Sequence, residues 1–94
     1  MFIRMAKFRL KAEQREAAVR AYHQLGLPKV KASPGNVAGY LLEPVEGDEH
    51  VAITIWNSEA DAKAYEASGT AAEVAGTIRA AFAGPPELQS YRAS

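Results

Sequence analysis

Cysteine is absent from the 94-residue chain. That excludes disulfides, thiolate nucleophiles, iron–sulfur clusters and cysteine-ligated zinc. An excess of either charge is absent too: 11 Lys and Arg balance 11 Asp and Glu, and the basic residues are scattered. A duplex-binding protein neutralises phosphates with a basic surplus, so no nucleic-acid partner is expected. No apolar run approaches the roughly 20 residues that span a bilayer, so no membrane partner is expected either. The opening MFIRMAKFRLK lacks a long apolar stretch and a small-residue cleavage site. It reads as a strand rather than a signal peptide, and a cytoplasmic location is expected. The only histidines, His23 and His50, are too separated for a metal motif. With no glycine-rich nucleotide loop in the sequence, neither a metal nor a cofactor is expected.

What is present is enough apolar residue, 48%, for one modest core, so residues 1–94 are read as a single domain. Met1 to Leu10 reads as a strand with apolar residues on both faces: Phe2, Ala6, Phe8 and Leu10 on one, Met1, Ile3 and Met5 on the other. Ala12 to Leu25 reads as a helix with Ala18, Val19, Tyr22 and Leu25 in its apolar stripe, capped at Gly26 and stopped by Pro28. Ser33-Pro34-Gly35-Asn36 is a turn, with Pro and Gly in the second and third positions of type II geometry. Strands follow over Val37 to Glu43 and His50 to Trp56, joined by a short acidic turn that implies a hairpin. Ser58 then caps a helix reaching about Ala67, which Gly69 ends. Thr70 and Glu73 form a capping box for a further helix with an apolar stripe through Val74, Ile78 and Phe82. Gly84-Pro85-Pro86 stops it before a last strand, Leu88 to Arg92.

The order β-α-β-β-α-α-β fits an α+β, ferredoxin-like split βαβ fold, with a four-stranded antiparallel sheet and helices on one face. Strands two and three carry apolar residues on both sides. Helices can cover only one side, and zero net charge offers no self-repulsion. A homodimer packed through the open sheet face is therefore expected.

The segment IxIWNSEADAKAYEASG, centred on the only tryptophan, resembles the strand-Trp-x-Ser-Glu-helix signature of the antibiotic biosynthesis monooxygenase-like family. MFIRMAKFRL, PGNVAGYLLEP and PPELQSYR are similar to the family as well, so the resemblance covers almost the whole chain. It implies a dimeric α+β barrel. It also implies either cofactor-free oxidation of a small aromatic or quinone-type molecule, or a non-catalytic ligand-binding or stress-related dimer, with a purely assembling module as a third reading. The haem-degrading branch matches at the Trp motif and at Tyr65, but its haem-ligating histidine, ten residues further on, is replaced by Ala75. Its strand-one Asn falls at Lys7 or Phe8, so haem breakdown is disfavoured.

Five residues are candidates for a substrate cavity. Trp56 can form a wall, or anchor the following helix. Tyr40 and Tyr65 can present hydroxyls to a ligand, or lie half-buried with the OH at a rim. Arg4 offers a planar donor fork to an anion, or pairs with a carboxylate. His50 carries an imidazole, the side-chain type suited to proton transfer at neutral pH, but its place beside an acidic turn predicts a solvated ring. No Ser-His-Asp arrangement, dedicated base or carboxylate pair is evident.

Overall fold

A computed structural model describes all residues, 1–94. Four strands, β1 (Phe2–Arg9), β2 (Asn36–Leu42), β3 (Glu49–Trp56) and β4 (Glu87–Arg92), form one sheet in the order β2-β3-β1-β4. Every neighbouring pair is antiparallel. This is the ferredoxin-like α+β arrangement. The register pairs Phe2 with Trp56, Arg4 with Thr54, Ala6 with Ala52 and Phe8 with His50. Because side chains alternate along a strand, these eight share the face on which the helices pack. Ile3, Met5, Val51, Ile53, Ile55 and Tyr40 fall on the opposite face.

The helices are α1 (Arg15–Ala21), α2 (Leu27–Lys31), α3 (Glu59–Ala67) and α4 (Thr70–Gly76). Ser58 caps α3 as its position predicts: its Oγ accepts from the Asp61 N–H at 3.2 Å and donates to the Asp61 carboxylate at 3.0 Å. Gly35 takes the positive φ, 81°, that the turn before β2 demands. Asn36 does more than turn the chain. Its amide donates to the Ala38 and Ile55 carbonyls, both at 3.2 Å, across an irregularity in the β2–β3 register.

Three expectations are corrected. The first helix does not stop at Gly26. A wide π turn over Tyr22–Gly26 inserts one residue, and Pro28 then opens α2, where a missing N–H costs little. The insertion rotates the inward face, so Leu25 is exposed while Gly26, Leu27 and Val30 are buried. Gly26 is a packing position rather than a cap: a Cβ there would lie 3.0 Å from the Tyr22 ring. At the start of α4 the cap residue is Gly69, not Thr70. The Thr70 hydroxyl hydrogen-bonds Ser68 at 2.9 Å, and Glu73 instead pairs with Lys29 at 3.2 Å. Finally α4 ends at Gly76, and its expected continuation becomes a 3-10 turn, Arg79–Ala81, that still buries Ile78 and Ala81.

The main core joins Phe8, Leu10, Ala18, Tyr22, Leu27, Val30, Val74, Ile78 and Ala81. A smaller cluster of Phe2, Trp56 and Ala62 seats α3 on the sheet. No helix is long and apolar enough to cross a membrane.

Candidate functional site

Between the helix-facing side of the sheet and α3–α4 lies a cavity of about 350 Å³, within the range of small-molecule sites. Its floor is Ala6, Phe8, Ala52 and Thr54, and its roof is built from Ala71, Val74, Ala75 and Ile78. Small side chains on α4 are what leave the space open, since larger ones at 71, 72 and 75 would fill it. Thirteen of the eighteen lining residues are hydrophobic, so most of a ligand's surface would contact hydrocarbon.

The polar groups are few: the side chains of Arg4, Thr54, Glu66 and Arg79, and the hydroxyls of Tyr22 and Tyr65, whose rings count among the thirteen. Arg4 Nη1 donates to Ser90 Oγ at 2.7 Å, and Nη2 pairs with the Glu66 carboxylate. The guanidinium lies 5.3 Å from the Phe2 ring centroid, while its Nε is buried without an acceptor. Of the four tyrosines, only Tyr91 makes a side-chain hydrogen bond within the chain, so the Tyr22 and Tyr65 hydroxyls are uncommitted. Burial raises the Tyr22 phenol to about 12. Tyr65 is pushed up further, by burial first and then by the neighbouring Tyr22 and the Glu66 charge. Both are therefore protonated donors across the neutral range.

These two groups make a prediction for alkaline solution. Above the ordinary tyrosine value of 10.0 the unfolded chain loses these phenolic protons while the folded chain keeps them. The unfolded state then binds fewer protons, so stability falls as pH rises from 10 through 12. Urea midpoints should drop over that window in the wild type and drop less steeply in Tyr22→Phe and Tyr65→Phe. Equal slopes in all three proteins would contradict the burial of these hydroxyls.

Of the five sequence candidates, the cavity gathers Arg4 and Tyr65. Trp56 is fully buried behind the wall: its ring packs on Tyr65 at 4.7 Å, and its Nε1 donates to Thr54 Oγ1 at 3.0 Å. It positions two lining residues and touches no cavity space. Tyr40 lies on the other face of the sheet and is 55% exposed. The expectation for His50 is reversed. Its ring is fully buried, stacked 5.9 Å from Phe8, with Nδ1 3.0 Å from the Asp48 carbonyl oxygen. Its pairing with Phe8 across β1 and β3 draws it beneath the helices, away from the solvated turn.

The sequence marks Tyr22 only as part of a core stripe and does not single out Glu66 at all. Tyr22 resembles any core aromatic of an amphipathic helix, and Glu66 resembles any solvated helical acid. Ala75 lies in the cavity roof, so the position of the haem-branch histidine holds a methyl group that cannot ligate iron.

A sequence model of the antibiotic biosynthesis monooxygenase family matches residues 1–81. The chain belongs to the antibiotic biosynthesis monooxygenase family. A search of curated proteins finds no match to it. Among solved structures, the family fold recurs in a monooxygenase from the gene ActVA-Orf6 of Streptomyces coelicolor in complex with nanaomycin D. That match has a TM-score of 0.84 and 16% identity, covering 99% of this chain and 87% of that one. It recurs also in a mutant of SnoaB, a cofactor-independent oxygenase from Streptomyces nogalater, with a TM-score of 0.79, 19% identity and coverages of 98% and 91%. Rv0793 of Mycobacterium tuberculosis is similar, with a TM-score of 0.81, 17% identity and coverages of 99% and 94%. At these identities the likeness carries the antibiotic biosynthesis monooxygenase fold and leaves the chemistry to the cavity.

Proposed function

We propose that the chain is a cofactor-independent monooxygenase-like protein acting on a small aromatic or quinone-type molecule. The observation that carries this reading is the apolar cavity, whose few polar groups include the uncommitted hydroxyls of Tyr22 and Tyr65. A hydroxyarene bound there loses its acidic proton, and the anion passes one electron to dioxygen. The radical pair joins into a hydroperoxide, and loss of water leaves a carbonyl, so one substrate and one dioxygen give one quinone-type product and one water. Such chemistry asks the protein for a water-poor pocket and donors aimed at developing oxyanion charge. The solved oxygenases of the same fold support the same reading.

The working unit in this proposal is a homodimer. Ile3, Met5, Val51, Ile53 and Ile55 line a sheet face that no helix covers, and a second copy of the chain would bury it. Native mass spectrometry at micromolar concentration should give the dimer mass; a clean monomer would remove this part of the reading.

Oxygen uptake tests the catalytic part. With anthrone or 1,4-dihydroxynaphthalene the protein should consume dioxygen above the buffer rate. Ala75→Leu, which fills the roof, should cut that rate by about tenfold while the fold, read by circular dichroism, is retained. Saturable quenching of Trp56 fluorescence with no oxygen uptake would instead support a non-catalytic ligand-binding protein, since Trp56 reads the cavity through Tyr65.

A further inference from the structure

We propose that Glu66 is the proton acceptor of this cavity and Arg4 its exchangeable counter-charge, so that the ligand is a hydroxyarene that enters neutral and is held as its oxyanion. This rests on the cavity being the ligand site. Glu66 is the one carboxylate in the lining, and no histidine lines it. Tyr22 and Tyr65 keep their protons, and a neutral phenol is no base. Thr54 Oγ1 already accepts from Trp56. Elimination thus leaves a single basic group in contact with the cavity.

The pair is built for exchange. Arg4 is held in place by Ser90 at Nη1 and by the Phe2 ring beneath its guanidinium. Glu66 sits near the C-terminal end of α3, and its side chain is 44% exposed. Its pairing with Arg4 is the one side-chain hydrogen bond or ion pair that restrains it. When a hydroxyarene enters, its O–H bond breaks, the proton forms an O–H bond on the Glu66 carboxylate, and the electron pair stays on the ligand oxygen. That oxyanion replaces Glu66 at Arg4 Nη2 and reaches the buried Nε–H, which has no acceptor within the chain. One cation and one anion are present before and after. A pocket this apolar opposes any change of net charge, so the exchange avoids the desolvation cost of an added ion. The titratable and charged groups around the ligand oxygen are Arg4 from β1, Tyr65 and Glu66 from α3, Tyr22 from the π turn and Arg79 beyond α4.

The test uses 2-naphthol, whose naphtholate band reports ionisation of the bound probe, and naphthalene, which has no proton to give. Bound to the wild type at pH 7, 2-naphthol should show a naphtholate fraction at least about tenfold above that in buffer. Because the proton stays on Glu66, that fraction should hold steady from about pH 6 to about pH 8, and binding should release no proton to a dilute pH indicator. In Glu66→Gln the naphtholate fraction should instead climb with pH and its formation should release a proton to solvent, while naphthalene binds within about twofold of the wild type, which shows an intact cavity. Arg4→Gln should abolish the excess naphtholate, and Lys63→Gln, an exposed cation outside the cavity, should leave it. Proton release by the wild type, or a pH-independent fraction that survives in Glu66→Gln, overturns the assignment even if oxygen uptake is observed. Conversely, a pH-independent, Glu66-dependent fraction with no oxygen uptake upholds the proton acceptor and removes the oxygenase reading. Failure of the wild type to bind either probe removes both.

Discussion

Trp56→Ala should lower folding stability by about 3–5 kcal/mol, the range for emptying the site of a buried large aromatic. The ring has no solvent exposure and sits with Phe2 and Ala62 in the cluster that seats α3 on the sheet. Its loss removes apolar burial, opens a void between β1, β3 and α3, and strips Thr54 Oγ1 of its donor. Small domains hold about 5–15 kcal/mol in total, so the variant should stand near the edge of folding. Trp56→Phe refills part of the void and should cost less than half as much. Urea denaturation followed by circular dichroism measures both, and a loss under 1 kcal/mol for the alanine variant would contradict the burial. Within the folded fraction Tyr65 also loses its packing partner, so, on the proposed function, ligand affinity should weaken although Trp56 does not line the cavity.

Gly35→Ala is the second large effect, at about 2–3 kcal/mol. Left-handed backbone costs a residue with a Cβ roughly 1–2 kcal/mol. The new Cβ would also fall 2.2 Å from the Asp61 Cγ and 2.6 Å from its Cβ, so Asp61 must leave. With it goes its carboxylate contact with Ser58 and the set of the first turn of α3, for about 1 kcal/mol more. Gly47→Ala is the matched control. Its φ is nearly the same, 82°, but a Cβ there meets nothing within 4 Å. It should cost only the backbone part, and the difference between the two variants isolates the collision with Asp61. Equal losses would show that the turn before β2 is not packed against α3.

The sheet was legible because each strand announces its ends: Pro34-Gly35 before β2, the acidic turn before β3, Trp56 and Ser58 after it. The Ser58 cap was legible for the same local reason. The π turn was not, because 18, 22 and 25 satisfy an ordinary helical stripe, and only contact with β2 selects the shifted one. His50 reads as solvated from its acidic neighbours along the chain, whereas its environment is set by Phe8, about forty positions away and across the β1–β3 register. Arg4 and Tyr65 could be nominated by residue type. Glu66 could not, since nothing local says that the end of α3 stops beside β1. Tyr40 could not be placed without the register that sends it to the open face, and for Trp56 the sequence leaves wall and buttress open, a choice made only when α3 packs on the sheet.

The one-residue slip between Tyr22 and Gly26 has a mechanical consequence. It makes a single helical run, residues 12–31, face two ways, offering Tyr22 to the cavity and Leu27 and Val30 to β2. Leu27 and Val30 press so closely on β2 that a Cβ at Gly39 would meet them at 3.1 and 3.2 Å. The Tyr22 ring, in turn, rests against Gly26 with no slack. Pushing that ring backward would drive the helix into the sheet, so this wall of the cavity is stiff. The opposite wall is different: α4 is seven residues long, rich in alanine, and meets solvent on its outer side. A ligand larger than the resting space would therefore be accommodated by α4 yielding outward, and the range of sizes admitted is set by that compliant side rather than by the helix that carries Tyr22.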